Sequence, residues 1–119
     1  MKLFDSELKL MELIWAEDGC TAKALSLRAA EKIGWNKNTT YTVLKKLVEK
    51  GAVERVEPSF QCRARISRDS VAKEETAGLI DRLFGGSKKA FFAAFLQQEP
   101  LSDTELDELR SMIDGYEKL

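Results

Sequence analysis

Apolar residues in the first fifty positions recur at every third or fourth residue, the spacing that gives an α-helix one apolar face. They form three segments, each ending at a glycine-containing turn. Asp5 or Ser6 caps the first predicted helix, and Thr21 and Asn36 cap the second and third. The predicted inward positions, in chain order, are Leu10, Leu13, Ile14 and Trp15; Ala24, Leu25, Leu27 and Ala30; and Thr40, Val43, Leu44, Leu47 and Val48. The pattern predicts three short helices around one core.

The period changes from helical to alternating directly after Gly51. Apolar side chains occupy every second position from Phe60 to Ile66, and polar or basic residues lie between them. Residues 52–57 supply a partner strand, with Pro58 and Ser59 in the turn. A two-stranded hairpin after three helices is typical of a winged helix-turn-helix domain.

Residues 67–119 return to helical spacing and predict three further helices, separated at Gly85-Gly86 and Pro100. The middle helix contains AFFAAFL at residues 90–96 and is apolar on every side, which a small monomer could hardly cover. The last helix begins with a capping box, SDTE. We therefore predict a mainly α protein with a small β wing, in which residues 1–66 bind DNA and residues 67–119 dimerise. The predicted dimer contacts are Leu79, Leu83, Phe91, Phe92, Phe95, Leu96, Leu106, Leu109 and Ile113.

The 19 basic and 20 acidic residues give the chain a net charge of -1, but they are unevenly distributed. Residues 1–66 carry 12 Lys and Arg against 9 Asp and Glu, and residues 67–119 carry 7 against 11. Short polar side chains suit base edges, and Lys and Arg suit phosphates. The predicted DNA-binding residues are Lys37, Asn38, Thr39, Tyr41, Thr42, Lys45, Lys46, Arg63 and Arg65, with Thr21 at the start of the second helix as a further phosphate contact.

The residue types argue against catalysis and against a bound metal. The chain has no histidine, and its two cysteines, Cys20 and Cys62, lie 42 positions apart without the spacing of metal ligands. No nucleophile motif is present. We expect neither an enzyme nor a cofactor. No apolar run approaches the roughly 20 residues of a membrane span, and the N-terminus lacks a signal-peptide pattern, so we expect a cytoplasmic protein without membrane insertion.

Two stretches resemble the penicillinase repressor family. They are residues 35–51, with Thr39, Thr42, Leu44, Leu47, Lys50 and Gly51, and the sequence EPSFQCRARISRD at 57–69. The family includes regulators of β-lactam resistance (BlaI and MecI type) and copper-responsive relatives (CopY type), whose clustered-cysteine motif is missing here. The resemblance covers essentially the whole chain. It implies a homodimeric winged-helix repressor of transcription that binds a palindromic DNA operator and dimerises through its C-terminal helices.

The resemblance also implies a mode of regulation. In the penicillinase branch, a membrane sensor with metalloprotease activity triggers cleavage within the helix that matches Ser87 to Gln98. The family's scissile bond, commonly Asn-Phe, falls here at Ala94-Phe95, where alanine departs from the family pattern. The implied partner is a sensor metalloprotease, and cleavage or loosening of the dimerisation helix would end repression of antibiotic-resistance genes.

Two other interpretations stay open. A winged helix can serve as a protein-interaction module that never contacts DNA, and the near-neutral net charge agrees with that. A thiol-based redox regulator would use Cys20 or Cys62, although Cys62 lies on the apolar side of its strand, where a small core residue is expected. The basic outward face of the third helix favours DNA binding.

Overall fold

The computed structural model describes residues 1–98 and 100–117, and within them it contains six helices and three short strands. The elements are α1 (Asp5–Ala16), β1 (Cys20–Thr21), α2 (Ala22–Lys32), α3 (Lys37–Glu49), β2 (Val53–Val56), β3 (Gln61–Ala64), α4 (Arg68–Phe84), α5 (Lys88–Gln98) and α6 (Asp103–Asp114). The mainly α fold with a small β wing is confirmed. The chain packs as two compact units, Met1–Thr76 and a second that begins at Ala77. The division into a DNA-binding and a dimerisation domain at residue 66 is functional and stays a prediction.

The core of the first unit lies where α1, α2 and α3 meet the sheet. Its fully buried side chains include Leu10, Met11, Ile14, Leu25, Leu44, Leu47, Val53 and Cys62. Thr21 Oγ1 accepts a hydrogen bond from the Ala24 amide at 3.1 Å, and Asn36 Oδ1 accepts one from Thr39 at 2.8 Å. Both predicted caps are therefore confirmed, and they fix where α2 and α3 begin.

Two details of the first helices differ from the prediction. The cap of α1 is Phe4, not Asp5 or Ser6, and its amide donates to Glu7 Oε1 at 2.8 Å. In α2, Leu27 is 65% exposed and Ala30 is exposed, whereas Ser26 and Ala29 are buried. Leu27 lies about 200° around the helix from Leu25, so both cannot face one core. The prediction is wrong at Leu27 and Ala30 because the side of α2 that faces the core combines Leu25 with the small residues Ala22, Ser26 and Ala29.

The sheet has three antiparallel strands in the order β1-β3-β2, where the sequence predicts two. The predicted hairpin is present, with Arg55 opposite Cys62 and Glu54 opposite Arg63, and we call β2, β3 and their connecting turn the wing. The unpredicted strand, β1, pairs Cys20 with Cys62 and Thr21 with Gln61. Two residues are too few to show an alternating pattern. The pairing joins the wing to the start of α2.

The first turns of α4 are attached to α1. Trp15 Nε1 donates to the Ile66 carbonyl at 2.9 Å, and the Arg68 guanidinium lies 5.2 Å from the Trp15 ring while it pairs with Glu12. Val71 is buried in the same core. These contacts hold the beginning of α4 on the first unit.

The second unit consists of the end of α4 with α5 and α6. Gly85 and Gly86 have φ values of 57° and 82°, and they end α4 where the sequence predicts a break. Ser102 and Glu105 form the predicted capping box of α6, with both hydrogen bonds at 3.1 Å. No described residue of α5 or α6 is buried. The apolar side chains of these helices are therefore at most partly covered within the single chain.

Candidate nucleic-acid interface

The orientation of α3 follows from its buried face. Thr40, Val43, Leu44 and Leu47 point into the core, so the opposite side of the helix is turned to solvent. That exposed side carries Asn38, Thr39, Thr42, Lys45 and Lys46. We call these five residues the outer face of α3. A rigid core thus holds short polar groups and two ammonium groups on one helical surface.

The outer face combines hydrogen-bonding and charged groups. Asn38 supplies an amide with both a donor and an acceptor, and Thr42 Oγ1 donates to the Asn38 carbonyl at 2.9 Å, which leaves its lone pairs free to accept. Lys37 extends from the first turn, with its ammonium 5.8 Å from the centre of the Tyr41 ring. Such groups can pair with base edges and phosphates in a major groove.

The seven cations between residues 36 and 66 divide into two sets. Lys50 forms an ion pair with Glu7 at 2.6 Å, and Arg55 pairs with Glu57. The charges of these two cations are therefore engaged by carboxylates of the same chain. The five others are exposed and form no ion pair with any residue that the structure describes: Lys37, Lys45, Lys46, Arg63 and Arg65. All five are predicted DNA-binding residues, and all five keep their charge available.

Arg63 lies on β3 of the wing and Arg65 directly follows that strand, and both side chains are exposed. Ala64, between them, donates its amide to Asp18 Oδ1 at 2.8 Å, which fixes the end of β3 beside the turn after α1. Glu54 is the cross-strand neighbour of Arg63 and offsets part of its charge. The wing is therefore less basic than its arginines alone suggest.

Tyr41 and Thr21 have structural roles as well as predicted DNA contacts. Tyr41 is half-buried and packs against the core, and Thr21 is half-buried with its hydroxyl oxygen engaged in the cap of α2. Their contacts with phosphate stay predictions.

A groove between α3 and the wing is a feature that the sequence analysis missed. It has a volume of about 440 Å³ and is lined by Tyr41, Lys45, Val48, Glu49, Arg55 and Phe60. Arg55 lies 3.9 Å above the Phe60 ring, and Phe60 adopts an unusual positive φ of 48°. No local pattern reveals such a groove, because its two walls come from separate segments of the chain.

An ion pair between the buried Glu7 carboxylate and the partly exposed Lys50 ammonium holds the end of α3. Glu7 is 1% exposed, and its Oε1 accepts from both Lys50 Nζ and the Phe4 amide. Burial raises the pKa of Glu7, whereas the Lys50 ammonium and the Phe4 amide lower it. Their combined effect is larger than that of burial, so the pKa lies below its ordinary value of 4.5. The stability that this pair contributes is therefore present above that pH and is lost as the pH falls through the lowered pKa.

Replacing Lys50 with methionine should destabilise the first unit by about 3 kcal/mol at pH 7, because the buried Glu7 carboxylate loses its counter-charge. Acidification to pH 5 should then recover part of the loss, since burial without a partner raises the carboxyl pKa and protonation removes the charge. Urea unfolding at both pH values measures the two effects. The control is Lys9→Met, at an exposed lysine of α1. If Lys50→Met lowers the free energy of unfolding by less than about 0.5 kcal/mol, the proposed role of the ion pair is contradicted.

The three packed helices, the wing and the exposed basic side of α3 define a winged helix-turn-helix protein with a helical C-terminal extension. The chain belongs to the penicillinase repressor family, whose model matches residues 3–115. The resemblance drawn from residues 35–51 and 57–69 is thereby confirmed. This family consists of repressors, so the chain is not an enzyme.

Curated relatives are similar over nearly the whole chain. The penicillinase repressor of Bacillus licheniformis is 21% identical over 117 residues, covering 97% of this chain and 91% of that protein. The methicillin resistance regulatory protein MecI of Staphylococcus aureus (strain N315) is 21% identical over 115 residues, covering 95% and 94%. An uncharacterised 16.5 kDa protein in the ptsI 3′ region of Latilactobacillus sakei is 26% identical over 110 residues, covering 91% and 75%.

Within residues 1–98 and 100–117, no helix has the length and apolar character required to cross a bilayer. The same residues contain no cluster of three or more acidic or cysteine side chains placed to hold a metal ion.

Proposed function

We propose that the protein is a homodimeric repressor of transcription that binds a palindromic DNA operator through α3 and the wing. The observation that carries this proposal is the set of five exposed cations on α3, on β3 and directly after β3, none of which pairs with a described acidic residue, next to the short polar groups of the outer face of α3. In helix-turn-helix dimers, the recognition helices enter successive major grooves about one helical turn apart. The wing arginines would contact the flanking phosphates.

A second copy of the chain would cover the apolar surface of the second unit. Leu83 is 71% exposed, Leu96 47% and Ile113 61%, although each is a large apolar side chain. An apolar groove of about 320 Å³ lies between α5 and α6 and is lined by Phe92, Leu109, Met112, Ile113 and Tyr116. Surfaces of this kind are typical of interfaces between subunits. Five of the nine predicted dimer contacts are exposed large apolar residues in the single chain, which supports dimerisation through this unit: Leu83, Phe92, Phe95, Leu96 and Ile113.

Derepression would follow from damage to α5. Ala94 is half-buried and Phe95 is 37% exposed, and no described residue of the helix is buried. In a subunit without its partner, such a helix can unfold locally at small cost and present the bond to a protease. We propose that cleavage at Ala94-Phe95 or loosening of α5 separates the dimer, and that a sensor metalloprotease is the partner. The names of the relatives point to genes of antibiotic resistance as the targets. Such a repressor would act in the cytoplasm, where bacterial DNA lies.

Two substitutions on α3 test the proposed contacts with DNA bases and phosphates. Asn38→Ala should relax discrimination at one base pair of each half-site by about 1–3 kcal/mol, because its amide would no longer contact a base edge. Lys46→Ala should weaken binding to specific and random duplexes alike, because its ammonium would contact phosphate. Gel shifts with a fragment of the protein's own promoter and with a random duplex measure both.

Equal losses on both duplexes for Asn38→Ala would contradict base recognition at that residue. Failure of the unaltered protein to bind any duplex would instead favour a winged helix that serves only as a protein-interaction module.

A further inference from the structure

The two cysteines of the chain are paired across the sheet. Cys20 in β1 and Cys62 in β3 are direct partners in an antiparallel register, although 42 positions separate them in sequence. Directly opposed residues of antiparallel strands point to the same face, with β-carbons about 4.5–5.5 Å apart. A disulfide needs β-carbons about 3.5–4.5 Å apart and α-carbons about 4.4–6.8 Å apart. The strand register therefore places the two β-carbons close to the separation that a disulfide requires.

The two sulfur atoms have different surroundings. Cys62 is fully buried beneath the sheet, whereas Cys20 is half-buried and so within reach of a small solute. An Arg28 nitrogen lies 3.9 Å from Cys20 Sγ, and the same guanidinium pairs with Glu17 at 3.2 Å. The Arg28 cation favours a thiolate at Cys20, and the Glu17 carboxylate opposes it. The greater exposure of Cys20 makes it the thiol that reacts first and Cys62 the thiol that reacts second.

The acid–base properties of the thiols agree with that order. Burial raises the pKa of Cys62 to about 12 and also raises the pKa of Cys20, where Arg28 acts in the opposite direction. Both groups are therefore protonated near neutral pH, and the pair should react slowly with weak oxidants.

We propose that Cys20 and Cys62 form a modification site at which a hydroperoxide produces a reversible disulfide between β1 and β3 of one chain. In the first step, Cys20 sulfur attacks the peroxide, the O–O bond breaks, and a sulfenic acid and one alcohol or water molecule result. In the second step, Cys62 sulfur attacks the sulfenic sulfur, the S–S bond forms, the S–O bond breaks, and the thiol proton leaves with hydroxide as water. The two thiols lose two electrons, which the peroxide gains.

The bond would also affect DNA binding, a consequence that rests on the proposed function. Thr21, next to Cys20, caps α2, and Arg63, next to Cys62, is an exposed cation of the wing. Drawing the β-carbons together shifts both neighbours. We expect the oxidised protein to bind its operator more weakly, with a salt slope reduced by about 2 in a dimer if each Arg63 loses its phosphate.

Thiol counting on the full chain tests the disulfide without DNA. The reduced protein is treated with hydrogen peroxide, unfolded, alkylated and weighed by mass spectrometry. We expect the number of alkylated cysteines to fall from two to none, with the mass of the intact chain lower by two hydrogen atoms, and dithiothreitol to restore both thiols. A linked peptide containing both cysteines identifies the bond. Two thiols that persist while free N-acetylcysteine is fully oxidised would overturn the proposal, as would a bond that joins two chains in dilute solution.

Two variants separate the roles of the cysteines. Cys20→Ser should protect the buried Cys62, which stays alkylatable after peroxide treatment, and Cys62→Ala should leave a Cys20 sulfenic acid that dimedone traps. Oxidation of Cys62 at the parental rate in Cys20→Ser would contradict the proposed order and the site.

Measuring operator binding before and after oxidation tests the coupling to DNA separately. A reduced protein that binds no duplex refutes the proposed function and leaves the disulfide result unchanged. Equal operator affinity before and after oxidation refutes only the coupling.

Discussion

Replacing Phe95 with aspartate should convert the proposed dimer to monomers. Phe95 lies on α5, in the apolar surface that a second copy would cover, and the substitution would place an unpaired carboxylate there. Burying such a group costs at least about 2 kcal/mol in each subunit. Because the substitution occurs twice in a symmetric dimer, the dissociation constant should rise by about a thousandfold. Light scattering or sedimentation over a range of protein concentrations measures the change.

The matched control is Gln97→Asp, which adds the same charge to an exposed position of the same helix outside the predicted contacts. We expect this variant to dimerise almost as the parent does. Operator affinity should fall with the dimer in Phe95→Asp and persist in the control, because a single subunit holds only one half-site. If Phe95→Asp keeps the parental association state, the dimer interface does not include this part of α5.

Operator affinity should fall steeply with added salt. If each subunit neutralises about four phosphates, the logarithm of affinity should decrease with the logarithm of salt concentration at a slope near -7. Between 50 and 200 mM salt, that slope corresponds to a loss of about ten-thousandfold. The exposed Lys37, Lys45, Lys46, Arg63 and Arg65 supply the charges for these contacts. Fluorescence anisotropy with a labelled duplex gives the slope directly.

Two lysine variants, one inside and one outside the basic stretch, provide the internal comparison. Lys45→Ala should reduce the steepness of the salt dependence by about 2 in the dimer, because one phosphate contact is lost in each subunit. Lys73→Ala, at an exposed lysine of α4 outside the basic stretch, should leave the slope unchanged. A slope close to zero for the parent protein would exclude phosphate contacts as the source of affinity.

The helices and the wing were predictable because their signals are local. Thr21, Asn36 and Ser102 are short polar residues that cap helices through their own side chains, and the glycines after α4 mark its end. The alternation from Phe60 to Ile66 likewise fixes which side of β3 faces the core. Each of these features depends on a few neighbouring residues, so a single sequence contains enough information.

The features that escaped prediction depend on contacts between distant residues. The ion pair of Lys50 with Glu7 joins residues 43 positions apart, and no local pattern indicates that these two side chains meet. Strand β1 exists only because Gln61 and Cys62 supply its partners. The predicted inward side of α2 is wrong at Leu27, since residue size and polarity alone do not show which face meets α1 and α3. Nothing in local spacing reveals these pairings.

The uncovered α5 has a consequence for how the proposed repressor responds to its own abundance. Because the apolar side chains of such a helix are buried only by a second subunit, dimerisation depends on the concentration of the protein in the cell. Below the concentration at which subunits associate, the amount of dimer varies with the square of the total protein. A twofold drop in synthesis would then reduce the dimer concentration about fourfold. Transcription of a repressed gene would therefore begin over a narrow range of repressor concentrations.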